Sequence, residues 1–184
     1  MKTRKIYILL TYSGTILSRL IKRYTREPYS HVSVSLDIDL DQLYSFGRKI
    51  PRNPLFAGFV EEDIINGTYA RFPNTKCALY SVDISAESYE NLLKELERFK
   101  ESKDRYKYNL IGLLGYMMNR PIDREYRYFC SQFVSEVLNN SGVRLIDKPS
   151  NLTAPGDFRK CRDLDLVYEG DLKKYKDLTC QLAN

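Results

Sequence analysis

Apolar and polar positions along this chain follow two periods. From Lys5 to Thr11 the apolar run is nearly continuous and β-prone, which predicts a first strand buried on both faces. Ser13-Gly14 breaks it. Thr15 then stands as a helix cap, and Ile16, Leu17, Leu20, Ile21 and Tyr24 recur at helical spacing as an expected core face. Arg19, Lys22, Arg23 and Arg26 form a basic stripe on the other side, at i, i+3, i+4 and i+7. Pro28 ends this helix. His31 opens a segment of strict alternation: Val32, Val34, Leu36 and Ile38 point one way, and His31, Ser33, Ser35 and Asp37 the other. Asp37 to Asp41 reads as a hairpin connection, and Leu43 to Phe46 as the return strand, ended by Gly47.

Further along, Pro51 to Pro54 predicts a loop, Phe56 to Val60 and Tyr69 to Phe72 short extended pieces, and Cys77 to Asp83 a strand. Ser85 caps a helix with Glu87 in its first turn and Tyr89, Leu92, Leu93, Leu96 and Phe99 as its buried stripe. Tyr106 to Met118 fits either a second helix or a compact segment lining a cleft, and Arg120 to Arg127 is a polar connection. Cys130 then begins a helix whose apolar residues recur at Phe133, Val134, Val137 and Leu138, and Asn139-Asn140-Ser141-Gly142 stops it. Pro149 to Asp157 predicts a loop and Leu164 to Tyr168 a last strand. No repeat, linker or low-complexity tract divides residues 1–184, so one α+β domain is expected.

Composition narrows the picture a little. With 43% hydrophobic residues, 15 Tyr and 8 Phe, the chain can bury a core and is not disordered. A net charge of +5 permits an anionic partner without demanding one. The four cysteines show no paired close spacing, and one His cannot supply a zinc-type cluster, so no metal or organic cofactor is expected. The apolar run Ile6 to Leu10 is too short for a signal-peptide core or a membrane span. The sequence therefore reads as soluble and cytoplasmic, with reduced thiols.

The chemistry rests on Cys130 and His31. A thiol at a helix start sits near unpaired backbone N–H groups and a partial positive charge, both of which favour a thiolate. His31, on the polar side of its strand, is the one histidine available as a base. Taken singly, each residue has a plainer reading: Cys130 continues the apolar stripe of its helix, and His31 is a strand-end histidine. The basic stripe of Arg19, Lys22, Arg23 and Arg26 is either a solvated face or a contact for phosphate or an anionic membrane.

Five segments, in order, carry a resemblance. They are the first strand, Gly14-Thr15-Ile-Leu-Ser18, Tyr29-Ser-His-Val-Ser-Val-Ser35, Tyr106-Lys-Tyr-Asn109 and Tyr128-Phe-Cys-Ser-Gln-Phe-Val134. The chain resembles the permuted branch of the NlpC-like papain-fold superfamily, the YiiX/YaeF-like cysteine hydrolases, over roughly Lys5 to Pro155. Lecithin retinol acyltransferase-like enzymes are distant relatives. The resemblance implies a papain-like, NlpC-type fold, circularly permuted so that the His strand precedes the Cys helix. Its central antiparallel sheet or partial barrel would pack against that helix. It implies Cys130 as nucleophile, His31 as proton acceptor and donor, and the Cys130 N–H as part of the oxyanion site. Tyr108 matches the family's tyrosine facing oxyanion or substrate, with aromatic packing as its plain alternative.

The family's third catalytic position is a polar residue on the strand after the His, and it falls here on Ser45. A serine hydroxyl can accept the imidazole N–H bond but brings no charge. Asp37, six residues along the His31 strand, is roughly 20 Å away at ~3.3 Å per residue. Tyr44 and a bound water are the other options.

Three function classes follow. The first is a cysteine peptidase- or amidase-type hydrolase, or an acyltransferase, working on a small amide or ester of cell-wall-peptide or lipid-acyl type. The second is a non-catalytic ligand-binding module that keeps the fold. The third is a basic nucleic-acid binder, for which no specific recognition motif is present.

Overall fold

The computed structural model describes residues 2–50, 53–109, 111–112, 115, 120, 122 and 124–182. Its centre is a six-stranded antiparallel sheet in the order β4-β3-β2-β1-β5-β8. The strands are β1 (Thr3–Tyr12), β2 (His31–Ser35), β3 (Leu43–Ile50), β4 (Asn53–Glu62), β5 (Lys76–Ser85) and β8 (Asp165–Asp171). A short parallel pair, β6 (Lys107–Tyr108) and β7 (Arg127–Tyr128), stands apart from it.

The continuous apolar run of β1 has a physical reason. The strand is central, flanked by β2 and β5, and both faces of the sheet are covered. Ile6, Ile8 and Leu10 belong to one core with Leu92, Leu96 and Phe99 of α2 (Ala86–Glu101) and Phe133, Val134 and Val137 of α3 (Cys130–Asn140). Tyr7 and Leu9 point the other way, into a second cluster with Leu43, Cys77, Leu79, Leu172 and Tyr175. Leu172 and Tyr175 come from α5 (Leu172–Leu182), a helix the sequence pattern did not signal. Phe46 is fully buried at the heart of the first core. Its ring centroid lies 5.1 Å from Phe133, 5.2 Å from Tyr128 and 6.0 Å from Phe99.

Several expectations need correction. The helix α1 (Ile16–Thr25) forms and is capped by Thr15, whose hydroxyl accepts from the Ser18 N–H. Its expected core face is not buried: Ile16 is 79% exposed and Leu20 57%, and Ser18 is the residue that α1 buries. The apolar period of α1 is thus real, but half of that stripe has no core to enter. Gly47 does not end β3, which runs on to Ile50 and pairs with β4. β4 begins at Asn53 within the expected loop; residues 51–52 lie outside the described ones. Tyr69 to Phe72 is not extended but mostly a single 3-10 turn, Thr68–Arg71. The expected loop from Pro149 to Asp157 holds a 3-10 turn, Ser150–Leu152, and the start of α4 (Pro155–Lys160). Pro155 there occupies the first turn, where its missing N–H costs nothing. Most of Tyr106 to Met118 beyond Asn109 falls outside the described residues. None of the four cysteines forms a disulfide.

Candidate active site

β2 is short and begins at His31, which pairs with Thr11 of β1. The two-residue period puts His31, Ser33 and Ser35 on one face of the sheet. On the partner strands, cross-strand pairing puts Ser45 and Leu43 of β3 beside Val60 and Glu62 of β4. Small hydroxyl residues line this face of β2 and β3, and Ser33, Ser35 and Ser45 are fully buried. The space they leave is filled by one carboxylate, Glu62, the last residue of β4.

Glu62 Oε1 lies 2.9 Å from His31 Nε2. Ser45 donates to the same oxygen at 2.8 Å, and Ser33 donates to Oε2 at 2.7 Å. The Tyr69 hydroxyl donates to Oε2 at 3.3 Å and is itself 3.2 Å from the Thr11 hydroxyl. Both carboxylate oxygens are therefore saturated, as a buried charge requires. The Glu62 side chain is 12% exposed and that of His31 23%, so their attraction is weakly screened.

The protonation states follow. Burial raises the Glu62 carboxyl, but His31 and the donors on Ser33 and Ser45 outweigh it and hold the group below the ordinary carboxylate range. Burial disfavours a charged His31, yet Glu62 and the Cys130 sulfur overcome it and push the imidazole up to about 10. His31 and Glu62 form an ion pair at neutral pH.

Cys130 is the first residue of α3. The preceding Phe129 supplies no side-chain cap hydrogen bond, so its own side chain leaves the N–H groups of the first turn open. Cys130 is 5% exposed, and its sulfur lies close enough to His31 to help raise the imidazole. The helix is held in place by Phe133, Val134, Val137 and Leu138, as its period predicts, and by Ser131, whose hydroxyl donates to the Thr153 carbonyl at 2.6 Å.

Tyr108 arrives through the small parallel pair. It lies beside Tyr128 in the β6–β7 register, and the Asn109 N–H donates to the Tyr128 carbonyl at 2.8 Å. This sets Tyr108 next to the sulfur: burial, then Cys130, push its phenol above the ordinary tyrosine value, with Arg48 opposing. The hydroxyl is therefore a proton-bearing donor at all working pH values.

Three of the four residues expected from the sequence, Cys130, His31 and Tyr108, come together. Ser45 is present but in a different role. Its hydroxyl donates to Glu62, and it is Glu62 that receives His31. Tyr44, the other side-chain option, points into the opposite core beside Phe59, with ring centroids 6.2 Å apart. Asp37 clamps the hairpin turn by accepting from the N–H groups of Asp41 and Gln42 at 2.9 and 2.7 Å. The sequence could have given the strand face of Glu62 but not its pairing, since the expected strand stopped at Val60 and β4 runs on to Glu62. Glu62 lies two residues beyond Val60, on the same strand face, in the strand after Ser45.

No protein-family model matches this sequence, and no curated protein matches it. In three dimensions the chain is similar to the crystal structure of the metalloprotein YiiX of Escherichia coli O157:H7, DUF1105. The TM-score is 0.54 at 16% identity, over 90% of this chain and 97% of that one. Among the described residues here, no three His, Cys, Asp or Glu side chains converge as a metal site, and Glu62 already spends both oxygens on protein donors. Nor, among the described residues, is any helix long and apolar enough to cross a membrane. The chain has a YiiX-like α+β fold, an antiparallel sheet covered by helices.

Proposed function

We propose that this protein is a thiol-dependent hydrolase or acyltransferase of the permuted, NlpC-like papain type, acting on an amide or ester. The observation that carries the reading is the connected row Cys130–His31–Glu62, with a buried carboxylate behind the imidazole. The chain order supports it too, since the His31 strand precedes the Cys130 helix.

In this reading Cys130 reacts as a thiolate beside the already protonated His31, and its sulfur attacks the substrate carbonyl, forming a C–S bond. Glu62 keeps the imidazolium charged and oriented. The developing oxyanion is met by the N–H groups at the start of α3 and by the Tyr108 hydroxyl. His31 then protonates the leaving nitrogen or oxygen as the C–N or C–O bond breaks, which leaves a thioester on Cys130. Water, or an acceptor hydroxyl or amine, gives its proton to His31, attacks the thioester and releases the acyl group. The alternative of a non-catalytic binding module drew its support from an uncharged third position, and the Glu62 carboxylate removes that support.

The test is alkylation by iodoacetamide, followed at each cysteine by mass spectrometry. Cys130 is 5% exposed whereas Cys180 is exposed, so accessibility alone favours Cys180. The reading expects Cys130 to react first at neutral pH and to lose that lead in His31→Ala. If Cys130 reacts no faster than the other three thiols, the enzymatic reading is wrong.

A further inference from the structure

The helix α1 is the most unusual surface of the molecule. Ile16 and Leu20 are 79% and 57% exposed, and Tyr24, one turn further on, 48%. These positions are spaced i, i+4, i+8 and form a single outward row. Leu17, Ser18, Ile21 and Thr25 dock the opposite side of the helix. Beside the apolar row runs the basic one: Arg19, Lys22, Arg23 and Arg26 are all exposed. No acid falls between Ile16 and Arg26. Glu27, the next acid along the chain, is buried and already neutralised by Arg159 at 2.9 Å and Lys160 at 2.5 Å.

We propose that α1 is a membrane-surface docking helix. It would lie in the plane of an anionic lipid headgroup layer, with Ile16 and Leu20 inserted and the four basic side chains on lipid phosphates. An apolar row alone would fit many partners, and a basic row alone would fit any polyanion. The two side by side on one exposed helix fit a surface that is apolar below and anionic above. Lys22 also stands 4.3 Å over the Tyr12 ring, which ties the basic row to the end of β1. The placement has a consequence for the site. Thr11 and His31 pair across β1 and β2, and α1 lies on the chain between them, so docking brings the His31 end of the sheet to the lipid surface. The proposal does not depend on whether Cys130 turns over a substrate.

Vesicle flotation with the full chain tests it. The vesicles are phosphatidylcholine alone, or phosphatidylcholine and phosphatidylglycerol in equal parts. Binding is expected to the anionic vesicles and not to the neutral ones, and to weaken with added salt. Arg19→Gln with Arg23→Gln should lower the partition by roughly five-fold per charge. Ile16→Ser with Leu20→Ser should lower it by at least about ten-fold. The chain has no tryptophan, so Leu20→Trp provides a single reporter whose emission should shift to the blue on anionic vesicles. Thermal unfolding identical to wild type establishes that the exposed substitutions leave the fold intact. Three results overturn the proposal: no flotation of the wild type, an indole emission in Leu20→Trp that vesicles leave unmoved, or full binding by Ile16→Ser/Leu20→Ser. The last is how a contact with nucleic acid or another soluble polyanion would behave.

Discussion

Glu62 reaches His31 across an intervening strand. Oε1 and Nε2 are 2.9 Å apart, although Glu62 stands on β4, His31 on β2, and β3 runs between them. The passage lies over Ser45 and Gly47. Ser45 adds a hydrogen bond on the way, and Gly47 has no side chain to fill the space. A Cβ on Gly47 would sit 3.5 Å from both Glu62 Oε1 and Ser45 Oγ, which is ordinary contact; any longer side chain would meet the carboxylate. The charge of the site thus depends on a residue distant from both Cys130 and His31 in sequence.

This relationship predicts an unusual titration. His31 is the one histidine of the chain, so its ring C–H resonances are unambiguous in an NMR spectrum. With the pKa pushed up to about 10, they should not move through the ordinary histidine range. In Glu62→Gln the midpoint should fall, because the carboxylate that sustains the charge is gone. A wild-type midpoint near the ordinary value of about 6.5 would contradict the ion pair.

Stability should carry the same signature. His31 is raised in the folded state, so its contribution is fully present below its unfolded value of 6.5 and is lost as pH climbs through about 10. Glu62 is lowered from 4.5, so its contribution is present above that value and is lost as pH falls through its depressed folded value. Glu62→Ala should therefore cost about 3 kcal/mol near neutral pH, since it leaves a partly buried cation alone. The deficit should shrink at both extremes. Urea unfolding at a series of pH values measures it, and a deficit that is flat with pH would mean that the pair is not ionic.

Ser45 and Glu62 are separable by kinetics. If Glu62 orients the base, Glu62→Gln should slow Cys130 alkylation by about a hundred-fold at neutral pH. Ser45→Ala removes only one donor to the carboxylate, costs about 1 kcal/mol of stability and leaves alkylation within a few-fold of wild type. Equal losses in the two variants would return Ser45 to the role the sequence suggested.

Phe46 couples the core to the site. Its ring meets Phe133 of α3 and Tyr128 of β7, the segments on either side of Cys130. Phe46→Ala should cost about 3–5 kcal/mol, the range for emptying a large aromatic position in a packed core. Denaturant unfolding reads this directly, and a cost under about 1 kcal/mol would mean that the cluster does not hold the sheet to α3.

Whatever depends on local period and local chemistry was legible in the chain before it folded. Continuous apolarity identified β1, strict alternation set His31 and Ser33 on one face, and Ser85 and Thr15 were readable as caps because a helix start needs an acceptor. Cys130 was readable at a helix start for a related reason, since its stripe of Phe133, Val134, Val137 and Leu138 begins just after it. Which residues become neighbours across the sheet came from packing. Glu62 becomes the partner of His31 only because β4 pairs with β3 to its last residue, and no local pattern encodes that register. The exposure of Ile16 and Leu20 has the same origin: an amphipathic period says that a helix has an apolar face, and only the packed fold says whether the protein itself covers it.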